Sequence, residues 1–398
     1  MAVATSIDSS YFVVDVPDFG WSGVPTARAL EFTVTPVVGS TVTFTDPCVA
    51  DGNDSVVFRG LSQLLESYVG GLSLTSSLFT SSCLSVHALA CASFRVTLHL
   101  ETEETPVTST LSSVAYYSRS RMSFLPVGCR MWLSRYHRRR VSASHPLVAS
   151  SFVFPSIDIR LRVSWMSAGV SRLTELSSLA GSASLSLSES FSVYAVTPKD
   201  AVVLCYSLSA IASAVTSSVG SPCLASDICH VYADLLHSGS VVDTLEFEID
   251  HGHRKLEQLV AFTNCWGMPE VESFTGSDAR TTEVDGEYSW MDDAYVKTCG
   301  QEVTSHRLCA GSVTEAQRSS LRDLSSSPEV YLLRDGATSC WERQTVTGIE
   351  MSDRRPRTQP QTAYVTLRPS ERHQEVVSRS VCPVVEGVFD ETFDETFE

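Results

Sequence analysis

Residues 31–36 read Glu31-Phe32-Thr33-Val34-Thr35-Pro36, and residues 41–45, just beyond Gly39, read Thr41-Val42-Thr43-Phe44-Thr45. In each run, apolar residues alternate with hydroxyl or charged residues, which places the apolar side chains on one face of an extended strand. Proline and glycine bound the runs, as they commonly do at strand ends in hairpins. The two runs therefore predict an antiparallel pair of strands, and with it a β-sheet.

The same alternation recurs along the chain, with period-two runs at 12–16, 92–100, 152–163, 185–195 and 245–249. Helical patterns are fewer. Residues 61–68 carry apolar side chains at helical spacing, and Thr314-Glu315-Ala316-Gln317 is a capping-box pattern that predicts a helix near 314–325. The sequence therefore predicts a mainly β protein, with two or more antiparallel β-sandwich-like domains and a few short helices.

A chain of 398 residues is too long for one ordinary core, so more than one domain is expected. Composition divides it into an N-terminal β-domain (1–165), a Ser-rich middle β-region that could belong to the first domain (166–243), a C-terminal β-rich domain (244–388) and an acidic tail (389–398). Only 19% of residues are charged, against about 25% in ordinary soluble domains. Serine and threonine take the place of the missing charges.

The net charge of −17 argues against general nucleic-acid binding, since a phosphate-binding surface needs positive potential. Twelve cysteines raise the question of disulfides. The first residues show no secretory signal, so free thiols in a reducing compartment are expected. Residues 69–94 and 201–226 lack charge, but they are rich in Ser, Thr and Gly, and no membrane association is predicted.

An arginine cluster with interleaved aromatic residues is the first candidate site; its members include Arg135, Arg138, Arg139 and Arg140. Guanidinium groups can bind the carboxylates of a partner chain through planar, bidentate hydrogen bonds, and they also bind phosphate. The readings left open are a solvated loop, a protein-partner site and, least favoured because of the acidic whole, a nucleic-acid site.

The tail is the second candidate. It repeats one aromatic and two acidic residues every four positions, through Phe389, Phe393, Phe397, Asp390, Glu391, Asp394 and Glu395. So sparse an apolar content builds no core, and the carboxylates repel one another. The segment is predicted to dock into a groove or onto arginines of a partner; the alternative is a solubilising tail.

Metal and catalytic chemistry receive little support. His251 and His253 are metal-capable, but two further ligands would have to come from elsewhere, and a polar turn is the favoured reading. The sequence has no Gly-x-Ser-x-Gly elbow and no phosphate-cradling glycine loop. The chain is therefore predicted to be no enzyme and to use no cofactor.

The C-terminal third contains Asn264-Cys265-Trp266-Gly267-Met268-Pro269-Glu270, followed by a helix into residues 324–332 and by a strand at 364–370. This order resembles structural proteins of tailed phages of gut Bacteroidetes, in which a similar turn precedes a β-domain. The resemblance implies a virion component (tail, connector or capsid-associated) that is assembled in the host cytoplasm with copies of itself and other virion proteins. The alternative is a secreted or surface adhesin or carbohydrate-binding β-sandwich protein.

Overall fold

The structure is a computed structural model that describes residues 3–4, 8, 10–24, 27–36, 40–75, 78–79, 83–88, 91–100, 109–119, 130–152, 157–176, 200–252, 257–291, 294–333, 341–351 and 362–370. Strands dominate it, so the predicted mainly β fold is confirmed. In chain order the strands are β1 (Val3–Ala4), β2 (Ser10–Phe12), β3 (Phe19–Ser22), β4 (Ala27–Pro36), β5 (Val42–Pro47), β6 (Ser55–Phe58), β7 (Cys83–Ala88), β8 (Cys91–Leu100), β9 (Ser109–Tyr116), β10 (Arg138–Ser142), β11 (Leu147–Phe152), β12 (Ile157–Ser167), β13 (Val170–Leu176), β14 (Asp200–Tyr206), β15 (Ile228–His237), β16 (Ser240–Asp250), β17 (Gln258–Thr263), β18 (Pro269–Phe274), β19 (Asp278–Met291), β20 (Ala294–Ser312), β21 (Val330–Leu333), β22 (Trp341–Met351) and β23 (Thr362–Pro369). The helices are α1 (Leu61–Glu66), α2 (Leu208–Val219) and α3 (Glu315–Ser325).

The described strands form five sheets, whose orders are β1-β3-β6, β2-β9-β8-β4-β5, β11-β14-β7, β10-β16-β15-β12-β13 and β18-β17-β21-β22-β23-β20-β19. Within them, β2–β9 and β10–β16 pair in parallel, and the other pairs are antiparallel.

The opening stretch of sequence forms β4 and β5, with Phe32 opposite Phe44 and Thr33 opposite Thr43. On β4, Phe32 and Val34 are buried, while Thr33 and Thr35 lie on the other face. The small β1-β3-β6 sheet and α1 cover the apolar side, where Trp21 and Leu65 join the same core. The predicted pair of strands is therefore confirmed, and its packed face is the apolar one.

The middle of the chain is a sandwich. One core lies between the sheet β10-β16-β15-β12-β13 and the sheet β11-β14-β7, and α2 joins it through Ile211 and Val215. Of the helices in the described residues, none has both the length and the apolar content needed to cross a bilayer.

Strand β14 is buried on both faces. Val202 and Leu204 enter the sandwich core, whereas Val203 and Cys205 pack on the opposite side against residues of the C-terminal sheet such as Ala261. A strand covered on both sides has no position for a charge. This double burial explains why Ala201 to Tyr206 carries none.

The predicted boundaries at 165 and 243 both lie inside strands, because β12 spans Ile157–Ser167 and β16 spans Ser240–Asp250. Both strands belong to the sheet β10-β16-β15-β12-β13. Pairing between strands distant in sequence, such as β12 with β15, thus joins segments that composition separates.

The C-terminal sheet packs on α3, whose Leu321 and Leu324 are buried in its core. The side chain of Thr314 caps this helix by accepting the N–H of Gln317 at 3.2 Å. The helix predicted near 314–325 is therefore confirmed together with its Thr314 cap, while the side-chain amide of Gln317 donates to the Glu272 carboxylate at 2.6 Å.

Candidate functional site

The turn between β17 and β18 is closed by one side chain. The Oδ1 atom of Asn264 accepts the backbone N–H groups of Trp266 (3.0 Å) and Met268 (3.1 Å), and the Asn264 N–H donates to the carbonyl of Met268 at 2.9 Å. Asparagine suits such a turn because its short amide can bond its own backbone two residues on. Gly267 supplies the positive φ of 77°.

This turn touches the N-terminal part of the chain. The carbonyl of Gly267 accepts the N–H of Leu72 at 2.8 Å, and Arg119 donates its backbone N–H to the carbonyl of Cys265 at 3.0 Å. Trp266 and Met268 share an apolar cluster with Phe12. The Asn264–Glu270 segment is therefore where separate sheets meet.

Glu270 ends the turn, and it is buried with its partners. Its carboxylate accepts the Ser134 hydroxyl (2.8 Å) and the Asn264 amide (3.2 Å), and it forms an ion pair with Arg139. Arg139 is only 2% exposed and also donates to the carbonyl of Tyr136 at 2.9 Å. Burial lowers the pKa of Arg139, and the negative charge of nearby Glu272 offsets part of this decrease.

The prediction that Arg139 binds a partner is therefore wrong. Its side chain is buried in an ion pair with Glu270 and is not part of an exposed surface. The physical reason is strand alternation. On β10, Arg139 faces inward, while Arg138 and Arg140 lie on the outer face and are 72% and 64% exposed. The alternation of a strand, applied to the run Arg138-Arg139-Arg140, would have separated the middle arginine from its neighbours.

The other arginines of the cluster form ion pairs nearer the surface. Arg138 pairs with Glu246 at 3.4 Å, and Arg140 pairs with Asp250 at 3.3 Å, both on the neighbouring strand β16. Arg135 reaches Asp323 of α3 at 3.3 Å, and its guanidinium lies 5.8 Å from the centre of the Trp266 ring. Each of the four predicted arginines thus pairs with a different acidic residue of this chain.

The outer face of this sheet continues the charge pairing. Asp234, whose side chain is fully covered, accepts hydrogen bonds from Arg162 (2.5 Å), Arg160 (3.2 Å) and the Thr244 hydroxyl (2.8 Å). Burial alone would raise the pKa of Asp234, but the hydrogen bonds from Arg162 and Thr244 outweigh it and lower that pKa. These charges hold neighbouring strands together.

His251 is exposed and its Nε2 lies 2.6 Å from the carbonyl oxygen of Ile228, whereas His253 and the tail residues 389–398 lie outside the described residues. Within the described ranges, no group of three or more metal-capable side chains converges. A cleft of about 270 Å³ is lined by alanines, serines, three leucines and Glu257, whose carboxylate accepts a hydrogen bond from the Ser144 hydroxyl at 3.1 Å.

A long hairpin is the feature that sequence reasoning missed. Strands β19 and β20 pair from Asp278 with Leu308 out to Met291 with Ala294, but β20 meets β23 only from His306 onward. Residues 281–291 and 294–305 therefore pair only with each other among the described strands, and we call them the β-arm. Trp290, one residue from the end of its strand, is 72% exposed. The signal in the sequence was Asp292-Asp293, a pair of turn-forming residues between two polar runs.

Comparisons with known proteins add little. No family model and no curated protein matches this chain. One similar solved structure is described as "Structural insight into host cell surface retention of a 1.5-MDa bacterial ice-binding adhesin". It shares 10% identity over 75% of this chain and 85% of that one, with a TM-score of 0.12, which is too low to support any argument about fold or function.

Proposed function

We propose that this chain is a non-catalytic structural protein that assembles with copies of itself and with other proteins of a virion, as a tail, connector or capsid-associated component. The β-arm carries the proposal. The resemblance of the Asn264–Glu270 turn to phage structural proteins names the kind of particle.

The β-arm extends about eleven residue pairs beyond the sheet, or roughly 35 Å at the rise of a β-strand. An isolated two-stranded ribbon is at best marginally stable in water, because neither face is covered. Thr281, Thr282 and Glu283, at its base, are all exposed. A projection of this length is stabilised when it lies on the surface of another molecule.

The exposed Trp290 near the tip supports the same reading. Tryptophan is enriched among the residues that contribute most to protein interfaces, because one side chain buries a large apolar area. An exposed tryptophan at the end of a projecting ribbon is placed to enter a pocket of a neighbouring protein.

The acidic tail is the second assembly element in this proposal. Arg138 and Arg140 remain accessible, and ion pairs between such exposed groups contribute only about 0–1 kcal/mol. Carboxylates in the tail of a neighbouring copy, such as Asp390 and Glu391, can replace the present partners of these two arginines, because little free energy is lost when such exposed ion pairs break.

Removal of the β-arm tests the proposal. In the variant, residues 282–304 are replaced by Asn-Gly, which closes a two-residue hairpin turn. The full chain is expected to form rings, tubes or other large species in sedimentation and negative-stain images, and the variant to remain small with nearly the same Tm.

Trp290→Ser should weaken assembly, whereas Leu224→Ser, which changes another exposed apolar residue, should not. Equal particle sizes for the full chain and the arm deletion would contradict the proposal.

A further inference from the structure

Strand β5 is the open edge of the sheet β2-β9-β8-β4-β5. From Thr43 to Pro47 every residue is exposed, and Phe44 retains 40% of its surface although it stacks on Phe32. Edge strands with exposed apolar side chains are common sites for pairing with another strand.

The backbone groups that face this edge can be identified. Cys48 donates its N–H to the carbonyl of Arg28 at 3.0 Å. Hydrogen-bonded pairs of an antiparallel ladder recur every second residue, so Asp46 and Phe44 also bond to β4. The N–H and C=O groups of Thr43 and the odd-numbered residues beside it therefore point to the open edge.

Both edges of the sheet β10-β16-β15-β12-β13 carry charge that discourages pairing. Strand β13 has Arg172 and Glu175, and β10 has Arg138 and Arg140. Between Thr41 and Thr45, in contrast, β5 contains no charged residue and no proline. The central part of this edge therefore has no repulsive element against a second strand, and Asp46 and Pro47 lie at its end.

The sequence of this edge is complementary to itself. We propose that β5 pairs antiparallel with β5 of a second copy of this chain, about a two-fold axis at Thr43. Thr43 then lies opposite its own copy, Thr41 opposite Thr45, and Val42 opposite Phe44. The apolar pair covers the exposed phenylalanine, and the threonines extend the hydroxyl contacts already present between Thr33 and Thr43 at 3.3 Å.

Charge placement favours the same partner and register. Asp46, the only acid of the strand, lies opposite Ser40 of the other copy, so no like charges face each other. This inference rests on the proposed assembly function and names one contact of it. The contact is short and buries less than a standard interface of about 1,600 Å², so a weak dimer in the micromolar range is expected.

Two matched lysine substitutions test the pairing. Thr43→Lys places two like charges directly across the axis, and Thr33→Lys places the same charge on the same face, one strand inward. In the arm-deleted chain, which lacks the larger assemblies expected of the β-arm, sedimentation velocity from about 1 to 200 µM should show a dimer whose Kd rises about tenfold or more with Thr43→Lys. Thr33→Lys should leave the Kd unchanged. A Kd unaffected by Thr43→Lys, or raised equally by both substitutions, overturns the inference.

Opposite charges provide a test that does not depend on loss of structure. Thr43→Glu and Thr43→Lys, each placed in the arm-deleted chain, should be monomeric alone and should form a one-to-one dimer when mixed. Failure of the mixture to dimerise overturns the inference, as does an arm-deleted chain with Thr43 intact that remains monomeric up to about 200 µM. Neither result removes the proposed function, which fails instead if the β-arm deletion leaves binding to other virion proteins and particle size unchanged.

Discussion

Gly267 and Gly71 approach so closely that a Cβ atom on Gly267 would lie 2.8 Å from the Cα atom of Gly71. The same Cβ would lie 2.6 Å from a ring carbon of Tyr117. The turn between β17 and β18 and the segment after α1 therefore meet backbone to backbone, and only glycine allows that distance.

We expect Gly267→Ala to destabilise the protein by about 3 kcal/mol or more, because it combines a positive φ with steric overlap. Gly239→Ala is the matched control: its φ is also positive, at 80°, but nothing lies within 4 Å. The control should cost about 1–2 kcal/mol. Urea unfolding of both variants measures the difference, and equal losses would show that the close approach is unimportant.

Arg139→Met is expected to lower the free energy of unfolding by about 3–5 kcal/mol, since it leaves the buried carboxylate of Glu270 without its cation. Arg138→Met, one residue away but exposed, should cost less than about 1 kcal/mol. Adding Glu270→Gln to Arg139→Met should recover part of the loss. Similar values for the two single variants, from denaturant titration, would refute the internal role of Arg139.

We expect the buried His145 to lower the free energy of unfolding in mild acid. Burial, together with the charge of Arg139, lowers the pKa of His145 to about 4, against an ordinary value near 6.5. The unfolded chain therefore binds more protons between these values, and stability falls as the pH drops through that window. Between pH 7.5 and pH 5 this group should contribute a loss of about 2 kcal/mol.

The variant His145→Gln should flatten that dependence. His137→Gln should have the opposite effect, because the hydrogen bond that the His137 ring donates to the Asp243 carboxylate raises the pKa of His137. That histidine gives stability that is present at low pH and lost as the pH rises, so its removal steepens the decline in acid. Unfolding free energies at several pH values check both expectations, and an unchanged slope in His145→Gln would contradict them.

Deletion of residues 389–398 should reduce oligomer size or remove co-purifying partners, because the tail carboxylates are predicted to bind arginines of a neighbour. The effect should weaken at high salt, which screens exposed charges. Substituting only Phe389, Phe393 and Phe397 by serine separates the aromatic contribution from the charge. Unchanged assembly after deletion would leave the segment with a solubilising role alone.

The regular elements were largely predictable from the sequence. Thr33, Val34 and Thr35 obey the period of a strand, and Thr314 marks the start of α3, because these local patterns report local structure. Helix α2 was missed although its signal was present: Ser207 caps it, and Leu208 begins an apolar stripe of helical spacing. Because residues 201–226 carry no charge, they were considered as a membrane span and not as a helix of a packed core.

The candidate site was predictable only in part. Asn264, Gly267 and Glu270 were singled out by resemblance, yet nothing local to them specifies a partner such as Arg139, more than a hundred residues earlier in the chain. Such a pairing depends on how sheets stack, and sheet stacking is set by contacts between distant segments. The β-arm was missed for a related reason: its strands are recognised by their pairing with each other, and residues 294–305 do not alternate apolar with polar residues.

The double burial of β14 has a consequence for biosynthesis. Val203 and Cys205 obtain their cover from residues such as Leu259 and Leu333, which leave the ribosome much later than β14 itself. Until those residues have been synthesised, an apolar face of the sheet is exposed to solvent, and nascent chains on the same polysome can aggregate. A holdase chaperone that shields this face until translation reaches the C-terminal sheet would therefore raise the yield of native protein.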